Sequence, residues 1–306
     1  MLLLTGATGY LGSAVAAALS AHGARFRCLG RRPLSDSEAD WIFWDFGSNQ
    51  AVSHKAFTDV SVAVHCAGLA HRMASEQEYD QVNVKSSVML AESAAEAGVQ
   101  HFIYISSLNV ISPLSVDPLV PPAALPELDE PYARSKRRAE IALWQSCERA
   151  GMALTVIRPA LIYDQTLTAN LATLERALRW WPFLLPDKGR RSLVGRPDLV
   201  QLILACADGR AGAPAGQSVV AATDGGCYSA RAISGLLRAG KSGTESGALM
   251  TPDWLCQWAC CLLDWRRGLS QGSTWKALST ELWCGPAREV IGWQPRLTLK
   301  TRFGES

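Results

Sequence analysis

Thr5-Gly6-Ala7-Thr8-Gly9-Tyr10-Leu11-Gly12 is the stretch of sequence that decides the fold. It follows the apolar run Leu2 to Leu4 and opens an Ala/Leu-rich segment, Tyr10 to Ala21, which together predict a strand, a tight turn and a helix. Glycines at every third position allow the turn, admit a pyrophosphate close to the backbone and let the helix pack on the strand. A helix N-terminus also offers free N–H groups to an anion. The predicted dinucleotide-binding residues here are Gly6, Thr8, Gly9, Tyr10, Leu11 and Gly12.

Short apolar runs alternate with helical patterns through the rest of the first half of the chain. Predicted strands span 25–29, 41–44, 60–66, 102–106 and 154–157, and predicted helices span 76–97 and 132–150. This alternation is typical of a parallel sheet covered by helices on both faces. We therefore predict an α/β fold, with a Rossmann-type doubly wound parallel sheet and a smaller C-terminal substrate lobe.

The alternation is lost beyond about residue 160, where helical patterns are joined by irregular segments. We predict an NAD(P)-binding domain over residues 1–160 and a mainly substrate-binding lobe over 161–306, with some segments returning to the main domain. Eight of the eleven tryptophans lie from Trp180 onward. A run such as 180–185 fits a membrane-surface or partner patch, but we favour the core or pocket wall of the lobe, because buried aromatic side chains dominate small cores.

Composition excludes several classes of protein. The net charge of +2 gives no reason to propose nucleic acid as a partner. Nine scattered cysteines without framework spacing predict reduced thiols, and no spacing indicates a metal site. The N-terminus lacks the basic residue of a signal peptide, and no run approaches the ~20 apolar residues of a transmembrane helix. We therefore expect a cytoplasmic protein.

Tyr132 and Lys136 lie four residues apart and share one face of a predicted helix. A free tyrosine has a pKa of ~10, and a nearby ammonium is expected to lower it and make the phenol an acid–base group. Ser106 and Ser107 follow a predicted buried strand, at the end of the sheet where α/β proteins place their sites. The predicted catalytic group is therefore one of these serines with Tyr132 and Lys136.

Arg31 and Arg32 follow the second predicted strand, where an acidic residue usually binds the 2′-hydroxyl of NAD. A cation at this place suits the 2′-phosphate of NADP. The pair therefore favours NADP (NADPH) over NAD.

These motifs, in this order, resemble those of the extended short-chain dehydrogenase/reductases. The resemblance covers nearly the whole chain and selects Ser107, in Ser106-Ser107-Leu108-Asn109-Val110, as the catalytic serine. It implies cofactor contacts from an acidic stretch after the third strand, from an H-x-A-A/G motif, from a V-N-V motif, from the catalytic Tyr and Lys, and from an R-P motif. The residues concerned are Asp45, Phe46, Ala67, Gly68, Asn83, Tyr132, Lys136 and Pro159.

The second half is similar to the branch of that family that acts on nucleotide sugars. Ala169-Asn170-Leu171 and Arg191-Ser192-Leu193-Val194 resemble motifs whose Asn and Arg contact the substrate diphosphate, so the resemblance implies that Ser107, Asn170 and Arg191 bind substrate. It further implies a 4-epimerase or 4-keto reductase of UDP-hexoses or UDP-N-acetylhexosamines in O-antigen or capsule biosynthesis, and a homodimer that pairs helices 76–97 and 132–150. Departures such as Arg196-Pro197-Asp198, where V-D-N is usual, bear on the identity of the substrate.

Two other functions remain open. One is an NADPH-dependent reductase of a non-nucleotide ketone or alcohol, of steroid or flavonoid type, which would leave Asn170 and Arg191 without a role. The other is a non-catalytic NADP-binding scaffold, against which the joint presence of Ser107, Tyr132 and Lys136 argues.

Overall fold

A seven-stranded parallel sheet occupies the centre of the protein in the computed structural model, which describes residues 1–34, 39–70, 74–111, 117–164, 169–178, 185–209, 216–242, 252–268, 270–286, 293–299 and 301. The strands are β1 Leu2–Thr5, β2 Phe26–Gly30, β3 Asp40–Phe43, β4 Val62–His65, β5 His101–Ile105, β6 Ala153–Pro159, β7 Leu161–Tyr163, β8 Leu193–Gly195 and β9 Gln217–Ala222. Strand order in the main sheet is β3-β2-β1-β4-β5-β6-β9, and β7 pairs with β8 separately. The order reverses between β1 and β4, and a crevice opens at such a switch point.

The helices are α1 Tyr10–Ala21, α2 Glu76–Tyr79, α3 Ser86–Glu96, α4 Pro131–Ala150, α5 Ala169–Leu178, α6 Arg196–Ala207, α7 Ala230–Ser242, α8 Asp253–Arg267 and α9 Ser273–Ser279. The single helix predicted over 76–97 is divided, because a π-helical segment, Asp80–Lys85, separates α2 from α3. Short 3-10 turns occur at His54–Phe57, Leu108–Val110 and Pro122–Ala124. π-helical turns are rare and are often found at functional sites.

Apolar side chains are buried on both faces of the sheet, as the doubly wound prediction requires. One cluster contains Leu4, Val15, Leu199 and Ile203, so α1 and α6 cover that face. The opposite cluster contains Leu3, Leu90, Phe102 and Leu143, so α3 and α4 cover the other. Alternate residues of β1 thus enter opposite cores, and the predicted α/β Rossmann-type fold is confirmed.

The expectation that strand–helix alternation is lost beyond residue 160 was wrong. Strands β7, β8 and β9 and helix α6 continue the alternation, and β9 joins the main sheet beside β6. Sequence periodicity missed α6 because most of its length is buried, so no polar face marks it. Strands β7 and β8, at three residues each, are too short for an alternating pattern.

The expectation that every cysteine is a free thiol was also wrong. Cys227 and Cys284 form a disulfide with a Cα–Cα distance of 5.3 Å across 57 residues of sequence. Hydrogen bonds next to Cys284 bring its segment close to that of Cys227: Thr223 Oγ1 and Ser192 Oγ donate to the Gly285 carbonyl at 3.0 and 3.4 Å. Within the described ranges, no helix combines the length and the apolar character needed to cross a bilayer.

Candidate active site

The glycine loop between β1 and α1 is held by close backbone contacts. Gly6 has a φ of +71°, and a Cβ there would lie 2.6 Å from the Ala67 nitrogen. A Cβ on Gly12 would lie 2.2 Å from the Gly6 carbonyl oxygen, which itself accepts a hydrogen bond of 2.8 Å from the Gly9 nitrogen. Only glycine fits at Gly6 and Gly12, so the loop brings β1, α1 and the loop after β4 within contact distance.

The other residues of this stretch divide between surface and core. Thr8 and Gly9 are exposed, whereas the Leu11 side chain is 9% exposed and packs in the α1–α6 core. Tyr10 is half-buried, with the Arg196 guanidinium 4.5 Å from its ring centroid. Leu11 therefore faces the core with its side chain and offers a ligand only its backbone.

A directed chain of hydrogen bonds runs under the loop that follows β4. The Ala67 nitrogen donates to Thr5 Oγ1 at 3.2 Å, and Thr5 Oγ1 lies 2.7 Å from His65 Nδ1. His65 Nε2 lies 2.8 Å from Ser87 Oγ, which donates to the Asn83 carbonyl at 2.8 Å. Since the Ser87 proton is used on that carbonyl, His65 carries its proton on Nε2 and accepts from Thr5 on Nδ1.

His65 is neutral in this chain. It is fully buried, and burial, followed by repulsion from Lys136, lowers its pKa from 6.5 to about 3. Its ring stacks on Phe46 and Tyr104 at centroid distances of 5.8 and 5.7 Å. The hydrogen-bond directions therefore persist at neutral pH.

Asn83 joins the π-helical segment to the site. Its Oδ1 accepts from the Leu69 nitrogen at 2.7 Å, and its Nδ2 donates to the Leu69 carbonyl at 3.1 Å and to Ser135 Oγ at 2.9 Å. The side chain is 1% exposed. Asn83 thus binds the loop after β4 to the helix that carries the predicted catalytic tyrosine.

Tyr132 and Ser107 lie close together at the end of β5. The Ser107 side chain is near enough to Tyr132 to lower its pKa, while the Glu130 carboxylate accepts from the Tyr132 and Ala133 nitrogens at 3.1 and 2.6 Å and caps α4. Ser106 Oγ is buried and has no hydrogen-bond partner among the described residues. The geometry therefore brings Ser107, rather than Ser106, to the tyrosine.

The pKa of Tyr132 differs from the sequence expectation. Burial raises it from 10.0 to about 12, the Ser107 side chain lowers it in part, and Glu130 and Tyr79 raise it further. Lys136 is not among the groups that shift it, and its Nζ donates to the Ile105 carbonyl at 2.9 Å and lies 4.7 Å from the Tyr104 ring centroid. Desolvation therefore outweighs the expected ammonium effect.

Lys136 is a buried lysine, 5% exposed. Burial lowers its pKa from 10.5 to about 8, and the Cys66 thiol and the Glu140 carboxylate act in the opposite direction. A Cβ on Gly68 would lie 3.3 Å from Lys136 Nζ and 3.1 Å from Asn83 Oδ1. The absence of a side chain at Gly68 therefore leaves room for the Lys136 and Asn83 side chains beside the loop after β4.

The end of β2 and the loop after β3 bring a cation and an acid together. Arg31 Nε lies 4.0 Å from Asp45 Oδ1, and both side chains are exposed. Asp45 Oδ1 also accepts from the Gly47 nitrogen at 3.0 Å. Phe46 is buried against His65, and Arg32 is exposed. The crevice edge therefore presents both the predicted arginines and the predicted acid.

A buried ion pair fixes the loop that precedes α4. Arg158 and Glu140 are both fully buried, with Nη2–Oε2 at 2.7 Å, and Arg158 Nη1 donates to the Pro118 and Val120 carbonyls at 2.8 and 3.0 Å. Pro159, the last residue of β6, is buried next to this pair. Arg158 thereby holds β6, α4 and the loop segment 118–120 together.

The two substrate residues predicted in the second half, Asn170 and Arg191, lie in different surroundings. Arg191 bridges to Tyr228 through its backbone, and its guanidinium donates to the carbonyls of Gly189 at 2.9 Å, Ala277 at 2.7 Å and Thr280 at 3.3 Å. Asn170 lies in the first turn of α5, and its side chain is outside the described residues. Substrate contact by either remains a prediction.

These residues fit a dinucleotide. Helix α1 begins at the glycine loop with no side-chain cap among the described residues, so its first-turn N–H groups face the switch-point crevice. Asn83, Lys136 and the Ser107–Tyr132 pair lie along the same carboxyl edge of the sheet. The described residues contain no group of three His, Cys, Asp or Glu side chains that could hold a metal ion.

Residues 2–220 match the model of the "NAD dependent epimerase/dehydratase family". The chain belongs to this family. The predicted resemblance to the extended short-chain dehydrogenase/reductases is thereby confirmed, and so, at the level of the family, is the prediction of an NAD(P)-dependent enzyme.

Relatives of known activity match part of this family member. It is 29% identical to a UDP-glucose 4-epimerase of Vibrio cholerae over 224 residues, 68% of this chain and 66% of that one. It is 33% identical to a ceramide reductase of Caulobacter vibrioides over 181 residues, 58% of this chain and 50% of that one. The matches thus span between half and two thirds of these relatives.

A solved structure shares the fold over almost the whole chain. The structure described as "MoeE5 in complex with UDP-glucuronic acid and NAD" superposes with a TM-score of 0.73 at 22% identity, over 99% of this chain and 95% of that one. At this identity the likeness shows the fold.

Sequence reasoning missed three supports of the site. They are the His65 network, the Glu130 cap of α4 and the Asn83–Ser135 contact. Glu130 directly before Pro131 was a local signal, because an acceptor before a first-turn proline suits a helix start. The other two join segments distant in sequence, and no local pattern marks them.

Proposed function

We propose that the protein is an NAD(P)-dependent oxidoreductase that acts at C4 of a UDP-hexose or UDP-N-acetylhexosamine, as a 4-epimerase. The observation that carries the proposal is the proximity of the Ser107 and Tyr132 side chains, with Lys136 one helical turn away, at the edge of the sheet where the glycine loop lies. The Vibrio cholerae UDP-glucose 4-epimerase among its relatives supports the choice of substrate.

Ser107 and Tyr132 are the proposed proton-handling pair. The Tyr132 phenolate takes the proton of the C4 hydroxyl as C4 becomes a ketone, and the resulting phenol returns it when the ketone is reduced on the opposite face, while the Ser107 hydroxyl holds the same oxygen. When bound, the nicotinamide would supply the hydride acceptor and then the hydride donor. Burial raises the pKa of Tyr132 to about 12 and so favours the phenol that donates the proton. The positive charge of an oxidised nicotinamide would favour the phenolate that the first half needs.

The proposed cofactor contacts follow the crevice from α1 to α4. Gly6, Thr8, Gly9, Tyr10, Leu11 and Gly12 would hold the pyrophosphate, with Leu11 acting only through its backbone. The adenosine half would lie near Arg31, Arg32, Asp45, Phe46, Ala67 and Gly68. The nicotinamide half would lie near Asn83, Tyr132, Lys136 and Pro159.

We propose that the coenzyme is NADP rather than NAD. Arg31 and Arg32 are exposed at the crevice edge and suit a 2′-phosphate. Asp45, 4.0 Å from Arg31, suits a 2′-hydroxyl instead, and it is the feature that opposes the proposal. Exchange of Asp45 for Asn should therefore shift preference towards NADP.

The proposed substrate contacts, direction of reaction and cellular setting follow from the family resemblance. Asn170 and Arg191 would bind the diphosphate, although the three backbone carbonyls that Arg191 holds limit how its guanidinium turns. A 4-keto reductase is the alternative form of the same chemistry. The resemblance supports a cytoplasmic homodimer in O-antigen or capsule assembly.

A reductase of a lipid-like ketone is the second candidate. The ceramide reductase relative supports it, and so does the use of Arg191 on the protein's own backbone. In this form Ser107 and Tyr132 keep their roles, and no diphosphate is bound.

A substrate panel with both coenzymes distinguishes the candidates. UDP-glucose, UDP-N-acetylglucosamine and a long-chain keto-sphingoid are each incubated with NAD, NADPH or no added coenzyme, and products are resolved by NMR. Epimerised UDP-sugar without net coenzyme consumption supports the proposal; consumption of NADPH with the lipid supports the second candidate. Lack of any turnover with normal dinucleotide binding would indicate a scaffold.

Tyr132→Phe tests the catalytic assignment. We expect kcat to fall by about 10²- to 10⁴-fold while dinucleotide affinity changes little, since only a proton donor is lost. Tyr79→Phe is the matched control, because the Tyr79 ring centroid lies 6.2 Å from that of Tyr132. Equal loss in both variants would contradict a specific role for the Tyr132 hydroxyl.

A further inference from the structure

Helix α8 exposes large apolar side chains on its outer face. Trp254, Trp258 and Trp265 are 68%, 61% and 75% exposed, and Leu262 between them is 44% exposed. At spacings of four, four and three residues, the four side chains share one stripe of the helix. We call this stripe the α8 tryptophan face. The preference for a lobe core therefore does not hold for these three tryptophans, and of the run 180–185 only Leu185 lies within the described residues.

The opposite face of α8 attaches it to the protein. Cys256, Cys260 and Asp264 are 2%, 5% and 0% exposed. Asp264 accepts from the Thr274 nitrogen at 3.1 Å and from its hydroxyl, at the start of α9. An amphipathic helix normally turns its apolar stripe inward and its carboxylates outward. Here a carboxylate points inward and three indoles point outward, so the orientation is set by contacts with the protein.

The exposed area is too small for a stable protein interface by itself. Three indole side chains of about 250 Å² each, exposed by the fractions above, offer roughly 500 Å². A stable dimer buries about 800 Å² per partner. A patch of this size and composition still needs a function, because contiguous exposed apolar patches mark interaction sites.

The chemistry of the face matches a membrane surface. Tryptophan is enriched where bilayers meet water, because its ring is apolar while its N–H remains hydrated. The charges beside the face favour an anionic surface, since Arg266 and Lys276 are exposed. Asp253 is neutralised by its ion pair with Lys188, and the Glu281 carboxylate, which keeps its charge, is directed at the backbone nitrogens of Gly189 and Arg190.

We propose that the α8 tryptophan face inserts into the headgroup region of a bilayer containing anionic lipids, so that the protein binds a membrane surface peripherally. The binding adds to the proposed function and does not depend on which substrate the enzyme uses. Shallow insertion along one helix face, supported by basic residues at its edge, is the known behaviour of interfacial helices.

Vesicle flotation of the full chain tests this proposal. Vesicles of phosphatidylcholine alone and of equal parts phosphatidylcholine and phosphatidylglycerol are compared at low and at high salt. We expect the full chain to float with the mixed vesicles, more weakly at high salt, and the variant Trp254→Gln/Trp258→Gln/Trp265→Gln to lose about tenfold or more in partition coefficient. Because these side chains are mostly exposed, thermal unfolding should change little.

Phe43→Gln is the matched control, since Phe43 is 59% exposed on the edge strand β3, away from α8. It should float like the unmodified protein. The proposal is overturned if the unmodified protein stays with the supernatant, or if the triple variant binds vesicles equally well. It is also overturned if the triple variant abolishes self-association in light scattering while vesicle binding is absent, because the face then contacts a second copy.

Discussion

Thr5 Oγ1 and His65 Nδ1 lie 2.7 Å apart, although sixty residues of sequence separate Thr5 from His65. Thr5 directly precedes the glycine loop, and His65 is the last residue of β4. Through Ser87 the same imidazole reaches Asn83, which holds the loop after β4 and contacts α4. One neutral ring therefore connects the proposed pyrophosphate site to the proposed catalytic helix.

Removing the His65 nitrogens should weaken dinucleotide binding. His65→Phe keeps the stacked ring but removes the imidazole hydrogen bonds of Thr5 and Ser87, so we expect a several-fold rise in coenzyme Kd and a stability loss of about 1–3 kcal/mol. His101→Phe is the control, because buried His101 pairs with Thr155 at the opposite end of β5. Calorimetric titration should find the coenzyme Kd of the His101→Phe variant unchanged. An equal rise of the Kd in both variants would argue against coupling through His65.

The same histidine predicts part of the acid sensitivity. Burial lowers its pKa from 6.5 to about 3, so between these values the unfolded chain binds a proton that the folded chain does not. Stability should therefore fall as pH falls from 6.5 towards 3, with this residue supplying up to about 1.4 kcal/mol per pH unit. Urea unfolding at several pH values should show a shallower slope for His65→Phe. An unchanged slope would mean that other groups dominate.

Gly12→Ala should abolish dinucleotide binding. Its Cβ would lie 2.2 Å from the Gly6 carbonyl oxygen, so α1 must move away from the loop. Gly235→Ala in α7 is the matched control, since nothing lies within 4 Å of its Cβ. The control should retain binding and gain about 0.5–1 kcal/mol from helix propensity. Retained coenzyme binding by the Gly12 variant would show that the close approach is not needed.

Arg158→Leu should be among the most destabilising single changes. It leaves the Glu140 carboxylate buried without its cation, which costs about 3–5 kcal/mol. Arg149→Leu removes a pair whose side chains are 74% and 53% exposed, with N and O 4.0 Å apart, and should cost at most about 1 kcal/mol. Chemical denaturation measures both. A similar, small loss in the two variants would be inconsistent with a dry ion pair.

The Cys227–Cys284 disulfide predicts how many thiols react before and after reduction. Denatured, unreduced protein should titrate with seven thiols per chain, and reduced protein with all nine. Replacing both cysteines with alanine should lower stability by about 2–4 kcal/mol, since the bridge closes a long loop. Nine thiols before reduction, in protein purified without reductant, would show that the bridge does not form.

The sequence alone determined the phosphate loop, the bounds of α1 and the parallel character of the sheet, because glycine spacing and apolar runs act over a few neighbouring residues. A strand end and one helix face also predicted that Ser106 or Ser107 lies at the same edge of the sheet as Tyr132 and Lys136, and the family resemblance chose Ser107. Helix α6 was not predicted, because most of its length is buried and no polar face marks it, and the three-residue strands β7 and β8 are too short for a local period.

Only the tertiary structure decided which distant groups meet and which side chains face solvent. The pKa of Tyr132 was predicted in the wrong direction, because desolvation depends on everything packed around the ring. The buried Arg158–Glu140 pair, the His65 network and the Cys227–Cys284 bridge join remote segments. The outward tryptophans of α8 have the spacing of a core helix, and only its attachment through Cys256, Cys260 and Asp264 turned them to the surface.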